Sequence, residues 1–122
     1  MEKVQLIGAV PIPVGHAVVI RWYEVESDGL FGTNKEERPY EPLVEDLDTG
    51  IVYGTEWLFH HAGMKPPREP VTVLDQPRAG ARLTRELTGR VRRCRVLTVY
   101  WSDYDVQTEL VIEPEPSRAG YR

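Results

Sequence analysis

The sequence predicts an all-β fold, a small closed or partly open antiparallel barrel of six to seven strands, and three observations carry that expectation. Fifteen valines against six alanines, with eleven aromatic residues, favour extended backbone over helix. No window longer than about ten residues keeps an apolar i, i+3, i+4, i+7 rhythm free of Gly and Pro. Short apolar runs bounded by turn residues recur instead, and some are apolar on both faces, as barrel strands are. OB-like and SH3-like barrels both fit this spacing. A β-sandwich is the alternative, because strand count does not fix topology.

Val4–Val10 is the first strand, ended by "PIP", where proline has no N–H for a ladder. His16–Glu26 is long and apolar on both faces around Val18–Tyr23, the mark of a central strand. "SDGLFGTNKEERPYEP" (27–42) reads as a long loop from its Gly, Asn and charge content. "LVEDLDTGIVYG" is a hairpin, Leu43–Leu47 with Ile51–Gly54, because Asp48-Thr49-Gly50 supplies a three-residue loop with Gly at its left-handed position. One helical turn is expected in "TEWLFHHAGMKPPREP", followed by an extended proline segment.

"VTVLD" is a short strand. In Ala81–Val91 the side chains of Leu83, Arg85, Leu87, Gly89 and Val91 share one face, an apolar alternation broken only by Arg85, with Gly89 as the expected bulge. Arg92–Trp101 and Val106–Glu113 form a last hairpin across "SDYD", in a register that sets Arg95 opposite Ile112 and Arg92 within reach of Glu113 and Glu115. Residues 1–113 are thus read as one barrel domain and 114–122 as a flexible tail.

At 122 residues the chain is the size of one domain with a real core. Cys94 is its only cysteine, which excludes an intrachain disulfide scaffold and points to a reducing, cytoplasmic setting; a bacterial source is expected without a residue that argues for it. Pro11, Pro13 and His16 interrupt the apolar N-terminal stretch, so neither a signal peptide nor a membrane span is read there. The net charge of -4 divides unevenly. Residues 1–62 hold 4 bases and 11 acids, a balance of -7, whereas 63–122 hold 11 and 8, a balance of +3. Two copies can pair through such complementary halves.

Seven arginines and one acid lie between Gln76 and Arg95. The expected contact surfaces are this stripe, Arg82, Arg90, Arg92, Arg93 and Arg95, and the aromatic loop carrying Trp57 and His60. Arg93 and Arg95 share a face with Leu97, Val99 and Trp101, so that face must leave the core near Cys94 or hold a buried ion pair.

No convergent set of acid, base and nucleophile is present, so a binding or assembly module with a protein partner, foremost a second copy of itself, is the first reading, without cofactor or metal. An oligonucleotide- or nucleotide-binding barrel is the second, with Trp101 and Tyr104 stacking bases beside the arginines. A third comes from "LDTG" (47–50) and "LTGR" (87–90), which resemble the Asp-Thr-Gly and apolar-Gly-Arg motifs of aspartic proteases of the retroviral type. That resemblance implies a dimer in which Asp48 is the catalytic carboxylate, although Ile51 stands where the family has a small residue. His60-His61 and His16 stand at no recognised zinc spacing.

Overall fold

The computed structural model describes residues 1–59, 71–73, 80–98 and 106–115. They form β1 (Glu2–Ile7), β2 (Ala17–Gly29), β3 (Gly32–Glu37), β4 (Leu43–Asp46), β5 (Val52–Gly54), α1 (Glu56–Phe59), β6 (Val71–Val73), β7 (Ala81–Thr98) and β8 (Val106–Pro114). One antiparallel sheet runs β1-β8-β7-β2-β4-β5-β6, with β3 on β2. It curls into an open half-barrel, as the sequence predicts for its class, with one strand more than the six to seven expected among the described residues.

β2 is apolar on both faces because both are covered. Val18, Ile20 and Trp22 point into the barrel with Val4, Leu6, Val44, Leu87, Val91, Leu110 and Ile112. Tyr23 and Val25 point outward, where Leu43, Val52, Trp57 and Leu58 pack on them. The four-residue α1 therefore caps the outer face.

The segment expected as a loop at 27–42 is instead half strand. β2 continues to Gly29 and returns as β3 through a two-residue turn at Leu30-Phe31, with Gly29 paired to Gly32 and Glu24 to Glu37. Polar composition suggested a loop, yet a ribbon in water needs only its backbone ladder and no buried face. The first strand ends at Ile7 rather than Val10, where the chain turns through Gly8. The 43–54 hairpin forms with Gly50 at φ 76°, a left-handed value that glycine adopts without a Cβ penalty, but its loop is the four residues 47–50 rather than the expected three, because the Asp46 amide donates to Ile51 O and the register moves by one.

β7 and β8 pair in a different register from the one expected. Thr98 lies opposite Val106, Cys94 opposite Leu110 and Val91 opposite Ile112. The expected register would have set Arg95 against Ile112. Burying Leu110 and Ile112 decides the pairing, since a slip of one residue turns a whole strand inside out. Gly89 is not a bulge either. A Cβ there would fall on the Glu113 carbonyl oxygen and 2.6 Å from Ile112 Cγ2, so glycine permits close approach of β8. The bulges are at Thr84, against β2, and at Arg92, against β8. β8 extends to Pro114, and the Glu115 amide donates to Thr88 O. No helix of the described residues is long and apolar enough to cross a membrane.

Candidate functional site

The bulge at Arg92 explains the arginine row. Leu87, Gly89 and Val91 face inward, so unbroken alternation would carry Arg93 and Arg95 into the core. Two residues, Arg92 and Arg93, instead fall between the pairs Val91–Ile112 and Cys94–Leu110, where the partner strand has only Val111. The parity reverses there: Cys94 turns inward and its Sγ donates to Val10 O at 3.4 Å, while Arg93 and Arg95 turn to water. The face leaves the core at Cys94 through the backbone, without a buried ion pair.

Most of the row is matched by acids. Arg90 Nε donates to Glu115 at 2.9 Å and Arg92 pairs with Glu113, as the sequence suggests for Arg92. Arg82 pairs with Glu24 at 3.2 Å. Among the described residues, Arg93 and Arg95 have no carboxylate within ion-pair distance. Across β8 their row continues to Lys3, which is paired with Glu109 at 3.6 Å. Arg93, Arg95 and Lys3 thus line this outer surface with one carboxylate of the described residues, Glu109, which Lys3 alone engages.

Lys3 also borders a groove of about 240 Å³ at the mouth of the half-barrel, lined by Gln5, Trp22, Pro39, Tyr40 and Arg85. Arg85, the residue that breaks the alternation, lies with its guanidinium carbon 4.4 Å from the Trp22 ring centre and pairs with Glu2 at 2.9 Å. Trp22 Nε1 donates to Pro39 O, which holds the 39–40 turn as the opposite wall. The Ile7 amide donates to Tyr40 O, away from β8. Antiparallel pairing alternates, so the backbone groups of Lys3 and Gln5 also point away from β8, into the groove.

Two other polar clusters lock loops. Asp46, 2% exposed, accepts from His16 Nδ1 at 2.8 Å and from the Asp48 and Thr49 amides. Burial alone would raise its carboxyl, but these donors hold it below the usual range. Asp48 Oδ2 accepts from the Ala17 amide at 2.9 Å, so the carboxylate of the protease-like motif is engaged with a neighbouring backbone. Ligand atoms of His16, Asp46 and Asp48 lie within 4.8 Å of one another, a spacing these hydrogen bonds account for. Near the seam between β1 and β5, Glu41 Oε1 and Thr55 Oγ1 are buried without a hydrogen-bond partner among the described residues, beside a cavity of about 10 Å³, room for about one water.

The most exposed apolar groups sit elsewhere. Beyond Val25, which pairs with Ala81, β2 has β3 as its only partner among the described residues, so 26–35 form a two-stranded arm. At its tip Leu30 is 94% and Phe31 100% exposed. Within 26–35, Glu26 and Asp28 against Lys35 give the arm a surplus of one negative charge, and Glu36 at its base pairs with Arg38 at 3.0 Å.

Of the site residues read from the sequence, Arg90, Arg92, Arg93 and Arg95 lie together on the far half of β7. Arg82 is apart, near the arm. Trp57 packs on the outer face over β2 and β4, with the Arg38 guanidinium 5.0 Å from its ring centre. His60, Trp101 and Tyr104 lie outside the described residues. Sequence reasoning did not select Leu30, Phe31 or the groove around Trp22 and Arg85. For the groove, the signal was Arg85 as the one cation in an apolar alternation; for the tip, "GLFG" in a charged stretch. Comparison with protein-family models, with curated proteins and with solved structures finds no match.

Proposed function

We propose that this chain is a binding and assembly module of the cytoplasm that makes protein–protein contacts by associating with itself. One observation carries the reading: a Leu-Phe pair, almost wholly in water, at the end of a two-stranded, net acidic arm. Burying each side chain in an interface is worth about 1.5–3 kcal/mol, and aromatic anchors are typical of binding hot spots. The charge surplus of the arm is opposite to that of the Lys3, Arg93 and Arg95 surface, which supports a second copy as partner. The free, half-buried Cys94 fits a reducing compartment.

Light-scattering mass across a concentration series tests this. The wild-type mass should rise with concentration, whereas Leu30→Ser with Phe31→Ser should stay monomeric with an unfolding free energy unchanged within about 0.5 kcal/mol, because both side chains are in water. A wild-type chain that stays monomeric throughout, or a double variant that associates as strongly, overturns the reading. Arg93 and Arg95, without carboxylate partners among the described residues, favour nucleic-acid binding as a second reading. Its signature is oligonucleotide affinity that falls steeply with salt and is lost in Arg93→Ala with Arg95→Ala.

A further inference from the structure

We infer that the groove between β1 and the Pro39-Tyr40 turn receives the Leu30-Phe31 tip of a second copy of this chain. The inference rests on the self-association proposed above and assigns the surface that the tip enters. The groove has an aromatic and proline lining, Trp22, Pro39 and Tyr40, with Tyr40 53% exposed. Its volume of about 240 Å³ is far above that of the one-water cavity beside Glu41 and Thr55. Along one wall the backbone groups of Lys3 and Gln5 belong to an edge of β1 that pairs with no other strand among the described residues. Such an edge can accept extended chain from a partner.

Charge selects the arm as occupant. Lys3 belongs both to the groove rim and to the surface that Arg93, Arg95 and Lys3 line with one carboxylate of the described residues, Glu109. A tip seated in the groove brings the net negative charge of 26–35 toward this cationic surplus. The occupant comes from another copy for a geometric reason. Trp22 and Leu30 are eight residues apart on one continuous strand and turn, about 25 Å at the rise of a β-strand. A chain's own tip therefore cannot reach its own groove without unzipping β2 from β3. Contact of tip with groove is heterologous: two copies close it by reciprocal exchange, and open chains form if the rotation does not close.

Complementation tests the assignment. Tyr40→Glu places a negative charge in the groove while keeping the carbonyl that binds Ile7, and Gln5→Glu does the same from the β1 side. Leu30→Ser with Phe31→Ser removes the tip and leaves the groove. Each class of variant, folded by circular dichroism, should weaken self-association by roughly 30-fold or more. Mixing the tip variant with a groove variant should restore a one-to-one complex by native mass measurement, since one supplies the groove and the other the tip. Self-association that persists in the groove variants overturns the assignment and leaves the proposed function standing. A mixture that stays monomeric points to tip-on-tip contact and overturns it too. A monomeric wild type removes both.

Discussion

Strand β2 is two structures in one. Over Ala17–Val25 it has β7 on one side and, over Val18–Arg21, β4 on the other, with cores on both faces. Beyond Val25 it has β3 alone among the described residues, and the turn holds two large apolar side chains in water. The backbone conformation is the same. What differs is the source of stability: buried apolar area in the first half, and little beyond a ladder of backbone hydrogen bonds in the second, which is marginal for an isolated ribbon. The body can thus stay folded while the arm is altered, and the arm can carry residues chosen for another molecule rather than for this core.

The sharpest way to break the comparison is a single methyl group in the body. Gly89→Ala sets a Cβ on the Glu113 carbonyl oxygen, with backbone rather than a pliable side chain in the way. Overpacking here should cost about 2–3 kcal/mol, read as a lower denaturant midpoint with unchanged slope. A cost below about 0.5 kcal/mol would mean that β8 slides freely on β7 and that the body is no more rigid than the arm.

Next in size is Asp46, which ties the 47–50 loop and His16 to the barrel. Asp46→Ala leaves two loop amides and an imidazole without their acceptor and should cost about 2 kcal/mol. The pH dependence has a definite sign. Its carboxyl is depressed in the folded state, so its contribution is fully present above the unfolded value, about 3.9, and is lost as pH falls through the folded one. Chemical denaturation of the wild type and of Asp46→Ala between pH 6 and pH 2 should give stabilities that converge toward the acid end. A gap that stays constant over that range would contradict the role of the charge.

Much of the body was legible because burial imposes a period. Val18, Ile20 and Trp22, alternating with Val19, Tyr23 and Val25, announce a strand covered on both sides, and Asp48-Thr49-Gly50 announces its turn. That the inward face must break near Cys94 was legible from Arg93 and Arg95 in the alternation, but the bulge at Arg92 that breaks it was not, since its position is chosen only by the need to bury Leu110 and Ile112 together with Val91. The arm was missed for the opposite reason: a ribbon with no buried face has no hydrophobic period to read. The groove depends on Lys3, Trp22, Tyr40 and Arg85 meeting across separations of up to about eighty residues, which only the topology supplies. Arg85 was visible as an exception, but an exception shows where to look and not what lies opposite.

The smallest effect expected concerns the row of arginines itself. Arg92 is the bulged residue, and it pairs with Glu113 where both side chains are about half exposed. Two explanations of the bulge compete: the ion pair draws Arg92 outward, or the inward pairs Val91–Ile112 and Cys94–Leu110 fix the strands on either side and leave one residue over. An exposed pair couples by about 0.5 kcal/mol and weakens with salt, whereas several buried apolar side chains contribute more than 1 kcal/mol each. The second explanation prevails on these magnitudes. A double-mutant cycle of Arg92→Ala with Glu113→Ala should therefore give a coupling near 0.5 kcal/mol that fades in high salt, with stability otherwise close to wild type. A coupling above about 1.5 kcal/mol would make the ion pair the cause of the bulge, and the outward turn of Arg93 and Arg95 would then depend on charge rather than on the core.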